Sequence, residues 1–447
     1  MTPITQMTLT TAIFVGIDIG TSGCRGCAID IRGQVLAEHH VVLPTLKRRG
    51  VEVEQNPQLW WAALTAVLTQ LRDRLPHPIT AISIDGTSAT VLLVDKEGIP
   101  LGPALMYNDA RASQEAEHIH QVGPRDSGAH GASSSLAKLL WLLKNTDPNG
   151  VCHVLHQADW LAGKLTGRFD ISDENNCLKL GYDPMARDWP TWVLGLGFDI
   201  SLLPQVQPPS TPIATLTEHV AKQIGLSPET IIVSGTTDSI AAFLATGAEQ
   251  VGEAATSLGS TLALKIVSDK PVFSPAYGVY SHRLWDKWLA GGASNSGGAV
   301  LLKYFTPSEL ETMTPHLQPE KSTRLAYYPL VSVGERFPIA NPKRAPCLEP
   351  RPADDVIFFQ GLLESIARIE AEGYQRLQSL GAPYPKTVYT VGGGAKNAAW
   401  THIRQNLMGV QMQKPRHTEA AYGTALLAKR GFLSGKTVKR CKNLEGL

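Results

Sequence analysis

The sequence predicts a folded protein of the mixed α/β class. Its 447 residues, 43% of them hydrophobic, can bury a large core and fill two or three domains at roughly 150 residues each. Short apolar runs that end at glycine-rich turns predict strands, and an apolar stripe with helical spacing over residues 56–75 follows the first three of them. Strand, loop and helix then alternate along the chain, which is typical of α/β folds.

The predicted elements can be given in chain order. Strands are predicted at 13–18, 24–30, 34–38, 79–84, 90–94, 231–233, 252–258, 261–266 and 387–391, and helices at 56–75, 112–122, 136–145, 239–245, 354–380 and 400–407. Gly373 is predicted to weaken the long helix over 354–380, because glycine lowers helix stability. Residues 306–352 are proline-rich with little periodicity, which predicts loop.

Composition and charge favour a small-molecule substrate. With 41 basic and 40 acidic residues and no block of like charge, the chain has no electrostatic footprint for nucleic acid or membrane. The first twelve residues lack the basic start and apolar run of a secretory signal, and no apolar stretch reaches the roughly 18 residues of a membrane span. Six scattered cysteines agree with a reducing compartment. We therefore expect a cytoplasmic protein.

Cys24 and Cys27 form a C-x-x-C pair inside a predicted strand. The motif has no second cysteine pair or nearby histidine, so two buried thiols are favoured over a redox or zinc site.

Three turns of small residues follow predicted strands, at 20–23, 259–261 and 392–395. Backbone N–H groups exposed by small residues make a cradle for phosphate oxygens, and a carboxylate at a strand end, here Asp18, can hold Mg²⁺ beside them. Each turn alone is also typical of an ordinary hairpin. The three together indicate a site for the triphosphate, ribose and base of a nucleotide.

The third turn lies in the segment GGGAKNAAW. Its glycines let the backbone approach a flat nucleotide, Asn397 can form a hydrogen bond, and Trp400 offers an aromatic face. The alternative for Trp400 is a core aromatic residue.

A carboxylate is also needed near the attacking hydroxyl in a phosphoryl transfer, to orient it and take its proton. Asp238, after the turn Gly235-Thr236-Thr237, is the leading candidate. Its alternative role is that of an ordinary aspartate in the first turn of a helix.

Two further segments carry groups suited to sugar hydroxyls. The run MYNDAR sets Asn108, Asp109 and Arg111 beside one another ahead of a helix, although it is also typical of a capping pair with a surface arginine. Ser88 can donate to or accept from a hydroxyl, although serine is also common in turns for the sake of the turn.

These motifs, in this order, resemble those of the FGGY carbohydrate kinases, over residues 15–428. GIDIGTSGCRGCAID is similar to the first phosphate hairpin of that family, YNDAR to its sugar-proximal segment, and GTTDSIAA to the segment with the catalytic base. SLGST is similar to its second phosphate hairpin and GGGAKNAAW to its adenosine motif.

The resemblance implies two actin-like, ribonuclease-H-like ATPase domains of the α/β class, with ATP and sugar in the cleft between them and hinge closure before transfer. The implied N-terminal domain, on the sugar-binding side, is 13–245 with 419–438 packing back on it. The implied C-terminal domain, on the nucleotide side, is 246–418.

The resemblance also implies roles for single residues. Asp238 would be the general base, and Asp18 would orient Mg²⁺ and the γ-phosphate of ATP. The implied sugar-binding residues are Asp18, Ser88, Asn108, Asp109, Arg111 and Asp238. The implied nucleotide-binding residues are Gly20, Thr21, Ser22, Gly259, Ser260, Thr261, Gly393, Gly394, Asn397 and Trp400.

D-ribulose is the predicted acceptor. Where xylulokinases carry a Gly-Gln-Met-His-type turn, this chain has Gly86-Thr87-Ser88-Ala89, and its short length and the segments DGTSATVLLVD and LMYNDAR resemble a compact branch that includes D-ribulose kinases. Kinases for xylulose, another ketopentose or a polyol are the nearest alternatives. A non-catalytic actin-like ATPase and a regulator that binds sugar without transfer are alternatives of other classes, and both a monomer and a homodimer stay open.

Overall fold

The chain folds as two units, each built round its own sheet. The computed structural model describes residues 9–442 and the side chains of 10–435. Residues up to 245 together with those from 419 onward form the first unit, and residues 246–418 form the second. Two expectations fall partly outside these ranges: the absence of a signal, for residues 1–8, and the free thiol of Cys441.

The first unit contains a mixed central sheet and a smaller antiparallel one. Its strands are β1 (Ile13–Ile19), β2 (Gly23–Ile29), β3 (Val35–Val42), β4 (Lys47–Arg49), β5 (Glu52–Gln55), β6 (Ile79–Gly86), β7 (Val91–Val94), β8 (Ala104–Leu105), β9 (His153–His156), β10 (Ile171–Asp173), β11 (Gln205–Gln207), β12 (Pro212–Thr215) and β13 (Ile231–Thr237). The central sheet has the order β12-β13-β6-β1-β2-β3, and the smaller sheet β4-β5-β8-β7-β9. Strands β1, β6 and β13 run parallel, so their carboxyl ends meet at one edge.

The helices of this unit pack on both of its sheets. They are α1 (Pro57–Arg72), α2 (Ser113–Val122), α3 (Ser135–Asn145), α4 (Gln157–Thr166), α5 (Glu174–Cys177), α6 (Thr191–Leu194), α7 (Glu218–Ile224) and α8 (Asp238–Ala245). Asn56 caps α1 by accepting from the N–H of Gln58, and the apolar stripe from Trp60 to Leu71 is buried as its spacing predicts.

The second unit contains strands β14 (Glu253–Leu258), β15 (Leu262–Ser268), β16 (Tyr280–Leu284), β17 (Lys287–Ser294), β18 (Thr387–Val391) and β19 (Gln411–Gln413). Its helices are α9 (Gly298–Tyr304), α10 (Pro307–Met313), α11 (Asp355–Ser379) and α12 (Ala398–Met408). The strand order is β16-β17-β15-β14-β18-β19, with α11 and α12 over its core. The predicted strands and helices of both units are confirmed to within a few residues at their ends.

One prediction for the second unit is wrong. The segment 306–352 is not all loop, since Thr306 and Glu309 form a reciprocal capping box that starts α10. Gly373 lies within α11, which continues through it. A Cβ there would lie 2.4 Å from Cδ1 of Leu264, so the glycine lets the helix approach β15 closely.

The chain returns to the first unit through α13 (Ala420–Lys442), which packs on β1, β6 and α8. The approach is close, because a Cβ at Gly16 would lie 2.1 Å from the carbonyl oxygen of Ala421, and one at Gly423 would lie 1.9 Å from that of Ala241. Only glycine fits at either position.

The C-x-x-C cysteines lie on opposite faces of the central sheet. Cys24 belongs to the core under α1, whereas Cys27 packs with the residues of α13. Both thiols are free, and burial raises the pKa of Cys27 to about 12. The interpretation as two separate buried thiols is confirmed. Over the described residues, no helix is both long and apolar enough to cross a membrane.

Candidate active site

Three neighbouring parallel strands of the first unit end in polar residues at one edge of the sheet. In the register of β1 and β6, Asp18 lies opposite Asp85, and in that of β6 and β13, Asp85 lies opposite Thr236. Asp238 follows directly as the first residue of α8. Because the carboxyl ends of parallel strands meet, these aspartates lie at one place, which we call the carboxyl edge.

Asp18 is a buried carboxylate with little compensation. Its side chain is 9% exposed, and Oδ2 lies 3.4 Å from Nη1 of Arg25. Burial, followed by the negative charge of Asp238, raises the pKa of Asp18 to about 6, and the Arg25 guanidinium opposes both only in part. A carboxylate with this pKa is ionised at neutral pH and can interact with a cation.

Asp85 is the third carboxyl group at the carboxyl edge, and it is completely buried. Its Oδ2 accepts a hydrogen bond from the hydroxyl of Thr424 on α13, while Oδ1 has no hydrogen-bond partner among the described residues. Burial and the neighbouring charge of Asp18 raise the pKa of Asp85 well above its usual range.

No role for Asp85 is predicted from the sequence. The signal that could have found it is a repeat. IDIGTS at 17–22 and IDGTS at 84–88 share an apolar strand, a terminal carboxylate and a turn of small hydroxyl residues.

Asp238 is partly exposed, unlike the other two aspartates. Its Oδ1 accepts from the backbone N–H of Ser239 at 2.6 Å, which agrees with its place in the first turn of α8. The hydroxyl of the preceding Thr237 is buried without a hydrogen-bond partner in the described part of the chain. The Thr237 hydroxyl is therefore a polar group at this end of β13 that no described residue pairs.

The first glycine turn joins β1 to β2. The N–H of Gly20 donates to the carbonyl of Gly23 at 2.9 Å, Thr21 is half-buried and Ser22 is exposed. A Cβ at Gly20 would meet its nearest neighbours only at 3.6 Å, so internal packing does not demand glycine there. The open space beside its backbone fits a ligand such as a phosphate group.

Ser88 and Asn108 have polar atoms that the protein leaves unpaired. The hydroxyl of Ser88 is partly exposed and has no hydrogen-bond partner in the described residues. Oδ1 of Asn108 is buried and also lacks one there. A buried carbonyl oxygen without a donor costs free energy unless a ligand or water supplies one, so this segment is suited to binding a polyhydroxylated molecule.

Asp109 and Arg111 satisfy each other inside the fold. Oδ2 of Asp109 accepts from the N–H of Val53 at 2.6 Å and from Nη2 of Arg111 at 2.8 Å. Nη1 of Arg111 lies 2.9 Å from Glu54, and its guanidinium lies over the ring of Trp141. The predicted direct contact of these two side chains with a sugar is not supported by this geometry, because both are committed to internal pairs.

The second unit presents the other two glycine turns. In the β14–β15 turn, Ser260 and Thr261 are exposed, and the carbonyl of Gly259 accepts from the N–H of Gly298 at 2.8 Å. After β18, Gly393 is exposed, and a Cβ there would have nothing within 4 Å. Both turns leave backbone open to a ligand.

Trp400 lies in the core of the second unit, where 2% of its surface is exposed. Its indole N–H donates to the carbonyl of Leu363, and its ring would be 2.5 Å from a Cβ at Gly394. The expectation that Trp400 offers a face to adenosine therefore needs correction, because the ring supports the glycine turn from within. Asn397 caps α12 by accepting from the N–H of Trp400.

No group of three or more His, Cys, Asp or Glu side chains in the described ranges forms a ready metal cage. Mg²⁺ seldom needs one, since it is usually held by one or two carboxylates together with substrate phosphates and water. The ionised, poorly compensated Asp18 beside the turn at 20–23 has the chemistry that such binding requires.

A second arrangement of reactive side chains has the connectivity of a hydrolase triad. Nε2 of His156 lies 3.0 Å from Oγ of Ser135, and Nδ1 lies 3.0 Å from Oδ2 of Asp159. Ser135 is completely buried, so no substrate reaches its hydroxyl. We interpret this set as structural.

Comparison with known proteins agrees with this description. Residues 13–245 match the N-terminal domain of the FGGY family of carbohydrate kinases, and residues 254–432 match its C-terminal domain. The chain is 26% identical to the xylulose kinase of Escherichia coli, over 94% of this chain and 89% of the relative. It is 24% identical to the gluconokinase of Bacillus subtilis, over 74% and 70%. The solved structure of "a xyloylose kinase from Brucella ovis" superposes with a TM-score of 0.83 at 25% identity, over 93% and 90% of the two chains.

The fold and the matches define a carbohydrate kinase. The chain belongs to the FGGY family, and the expected fold class, mixed α/β in the two-domain arrangement of these kinases, is confirmed.

Proposed function

We propose that this carbohydrate kinase transfers the γ-phosphoryl group of ATP to a hydroxyl of a ketopentose. The observation that supports this most is the carboxyl edge itself, where the partly exposed Asp238 lies with the buried Asp18 and Asp85 at the ends of three parallel strands. Open ends of parallel strands are the usual position of ligand sites in α/β sheets.

Asp238 is the proposed general base. The attacking hydroxyl oxygen forms a bond to the γ-phosphorus, the bond between that phosphorus and the bridging oxygen of ADP breaks, and the hydroxyl proton passes to the Asp238 carboxylate. Partial exposure suits this role, because the base has to reach a substrate oxygen.

Asp18 is the proposed ligand of Mg²⁺, which when bound would neutralise charge on the phosphate oxygens. The turn with Gly20, Thr21 and Ser22 and the turn with Gly259, Ser260 and Thr261 are proposed to bind phosphates through backbone N–H and hydroxyl groups. Gly393 and Gly394 are proposed to border the adenosine. Asn397 and Trp400 would then support this turn without contacting the nucleotide. Asn397 fixes the start of α12, and Trp400 fixes the position of Gly394.

Ser88 and Asn108 are the proposed sugar contacts, because each has a polar oxygen that no described residue pairs. Asp109 and Arg111 are proposed to act indirectly, by holding the segment that carries Asn108 against Val53 and Glu54.

Xylulose is the first candidate acceptor, because several of the relatives over nearly the full chain are xylulose kinases. This replaces D-ribulose as the leading choice. D-ribulose stays the second candidate on one observation, the turn Gly86-Thr87-Ser88-Ala89 with its unpaired Ser88 hydroxyl.

The proposal is tested by ADP release from purified protein with Mg-ATP and, in parallel, D-xylulose, D-ribulose, L-ribulose, glycerol, gluconate or no acceptor. We expect strong stimulation by one ketopentose, and that sugar identifies the acceptor. Stimulation only by gluconate or glycerol would refute the ketopentose, and hydrolysis that no acceptor alters would favour a non-catalytic actin-like ATPase.

The first prediction concerns Asp238→Asn. Loss of a general base lowers kcat by about 10²- to 10⁴-fold, while ATP binding and the midpoint of thermal unfolding should change little because the residue is partly exposed. Asp126→Asn, at an exposed aspartate of the same unit, is the control. Full activity in Asp238→Asn would remove this residue from the proposed role.

A further inference from the structure

A lysine is completely buried in the first unit, between the two segments that carry Ser88 and Asn108. Lys138 lies on α3 and has no exposed surface. Its ammonium Nζ donates to the carbonyl of Ala89 at 2.5 Å and to that of Met106 at 2.8 Å. One acceptor directly follows Ser88, and the other lies two residues before Asn108.

These two segments diverge next to the lysine. Strands β7 and β8 are paired at Val91 and Leu105, and beyond that point neither segment continues as a strand. The same antiparallel register, carried three residues further, would set Ser88 opposite Asn108. The hydrogen-bonded ladder between β7 and β8 stops before that position. Beyond it, the ammonium of Lys138 donates to one carbonyl of each segment, that of Ala89 and that of Met106.

The conformation of the turn makes this support necessary. Ala89 has φ 69°, a left-handed conformation that costs about 1 kcal/mol or more for a residue other than glycine. The other side of the turn is fixed by Gln157, whose Oε1 accepts from both the N–H and the hydroxyl of Thr87. The Ser88 hydroxyl lies between these two anchored residues and has no hydrogen-bond partner among the described residues.

Burying an amine at this position is costly, and the fold compensates for it only in part. Burial lowers the pKa of Lys138 to about 7, and the charge of Asp109 opposes that shift. Two of the three N–H donors of the ammonium are used, and no third acceptor occurs among the described residues. A leucine or methionine of similar size would fill the space without this cost, so the donors themselves have a use.

We propose that Lys138 is a positioning residue for the acceptor sugar, which sets the separation of Ser88 and Asn108 by bonding the backbone on either side of the gap between them. The inference rests on the proposed function. The occupant it implies is a polyol chain with hydroxyl groups on neighbouring carbons, since these can reach a hydroxyl on one side and an amide oxygen on the other.

The test compares Lys138→Met, which keeps the length but removes every donor, with Lys138→Arg, which keeps a cation and donors. Lys222→Met is the control, because this lysine lies exposed on α7 of the same unit. Steady-state kinetics are measured with ATP and the ketopentose that the wild type uses. We expect Lys138→Met to raise KM for the sugar by about 10- to 100-fold, as misplacement of binding groups does, with KM for ATP unchanged and a smaller effect for Lys138→Arg.

A second measurement separates positioning from simple loss of folding. Ser88→Ala is made in the wild-type and Lys138→Met backgrounds, or in Lys138→Arg if the methionine variant does not fold. If Lys138 acts through Ser88, the serine change raises the sugar KM in the wild type and adds little to the lysine variant. Additive effects, equal rises in both KM values, or an unchanged sugar KM would overturn the inference. A wild type without ketose-stimulated ADP release would refute the proposed function, and that failure is visible before any variant is made.

Discussion

Two clusters of buried charge, one in each unit, differ in how completely they are paired. In the second unit, Arg404 and Glu370 are both completely buried, and the guanidinium donates to both carboxylate oxygens at 2.5 and 2.6 Å. Thr390 accepts a further hydrogen bond from Arg404. In the first unit, Asp18 and Asp85 are buried beside each other, with one long contact to Arg25, and Oδ1 of Asp85 has no hydrogen-bond partner in the described part of the chain. Complete pairing indicates a structural role, and incomplete pairing indicates groups kept for a ligand.

The largest change in stability is expected from breaking the satisfied pair. Arg404→Met leaves Glu370 buried and uncompensated, which should lower the free energy of unfolding by about 3–5 kcal/mol. Asp355→Asn is the matched control, because Asp355 forms an exposed pair with Arg351 at 2.7 Å, and its loss should cost less than about 1 kcal/mol. Denaturant unfolding measures both.

The double variant Arg404→Met, Glu370→Leu sharpens this test. Removing both charges should recover a large part of the lost stability, because no unpaired carboxylate remains in the core. An Arg404→Met variant as stable as Asp355→Asn would show that the pair is not needed, and the comparison between the units would fail.

A smaller effect of opposite sign is expected at the carboxyl edge. Asp18 has its pKa raised from 3.8 to about 6, so between these values the folded protein holds a proton that the unfolded chain has released. The stabilising contribution is fully present below pH 3.8 and is lost as the pH rises through about 6. Asp18→Asn cannot ionise, so above pH 6 it should be more stable than the wild type, by up to about 3 kcal/mol.

The same variant should lose its kinase activity, because an amide does not supply the charge that the proposed magnesium site needs. Thermal unfolding from pH 4 to pH 8, with Asp126→Asn as an exposed control, should show the stability difference shrinking toward acid pH. In the wild type, kcat should fall below about pH 6 as Asp18 takes up a proton. Lower stability of Asp18→Asn at pH 8 would contradict the conclusion that burial and the charge of Asp238 destabilise the ionised Asp18 carboxylate.

What the sequence could predict follows from local rules. A strand that ends in a carboxylate before a glycine turn marks Asp18 as a candidate, and a turn before a small-residue helix marks Asp238. Once both strands belong to one parallel sheet, their ends have to meet. The partners of these residues depend on contacts between distant parts of the chain. Thr424 reaches Asp85 across 339 positions, and no local pattern encodes that contact.

Local sequence patterns also do not predict which side chains are buried. The sequence is compatible with Trp400 on an open surface or in a core. Its position in α12 predicts which side of the helix it occupies, but not whether another element covers that side. The sequence suggests Arg111 as a group for a ligand, because its second partner, Glu54, lies on a separate strand and is not visible in the local pattern. The short helix α10 was missed within a proline-rich segment, although Thr306 and Glu309 have the spacing of a capping box.

The smallest expected effects come from two adjacent glycines of the turn after β18. Gly394 is required for internal packing, whereas Gly393 leaves open backbone for a ligand. A Cβ at Gly394 would lie 2.7 Å from Cβ of Leu258 and closer still to Trp400, whereas one at Gly393 would meet nothing within 4 Å. Gly394→Ala should therefore lower the free energy of unfolding by about 1–2 kcal/mol through overpacking. Gly393→Ala should leave stability unchanged and raise KM for ATP alone, because only a bound nucleotide would meet the added methyl group. An ATP KM that Gly393→Ala does not alter would move the adenosine away from this turn and leave Gly394 with a purely structural reason to be glycine.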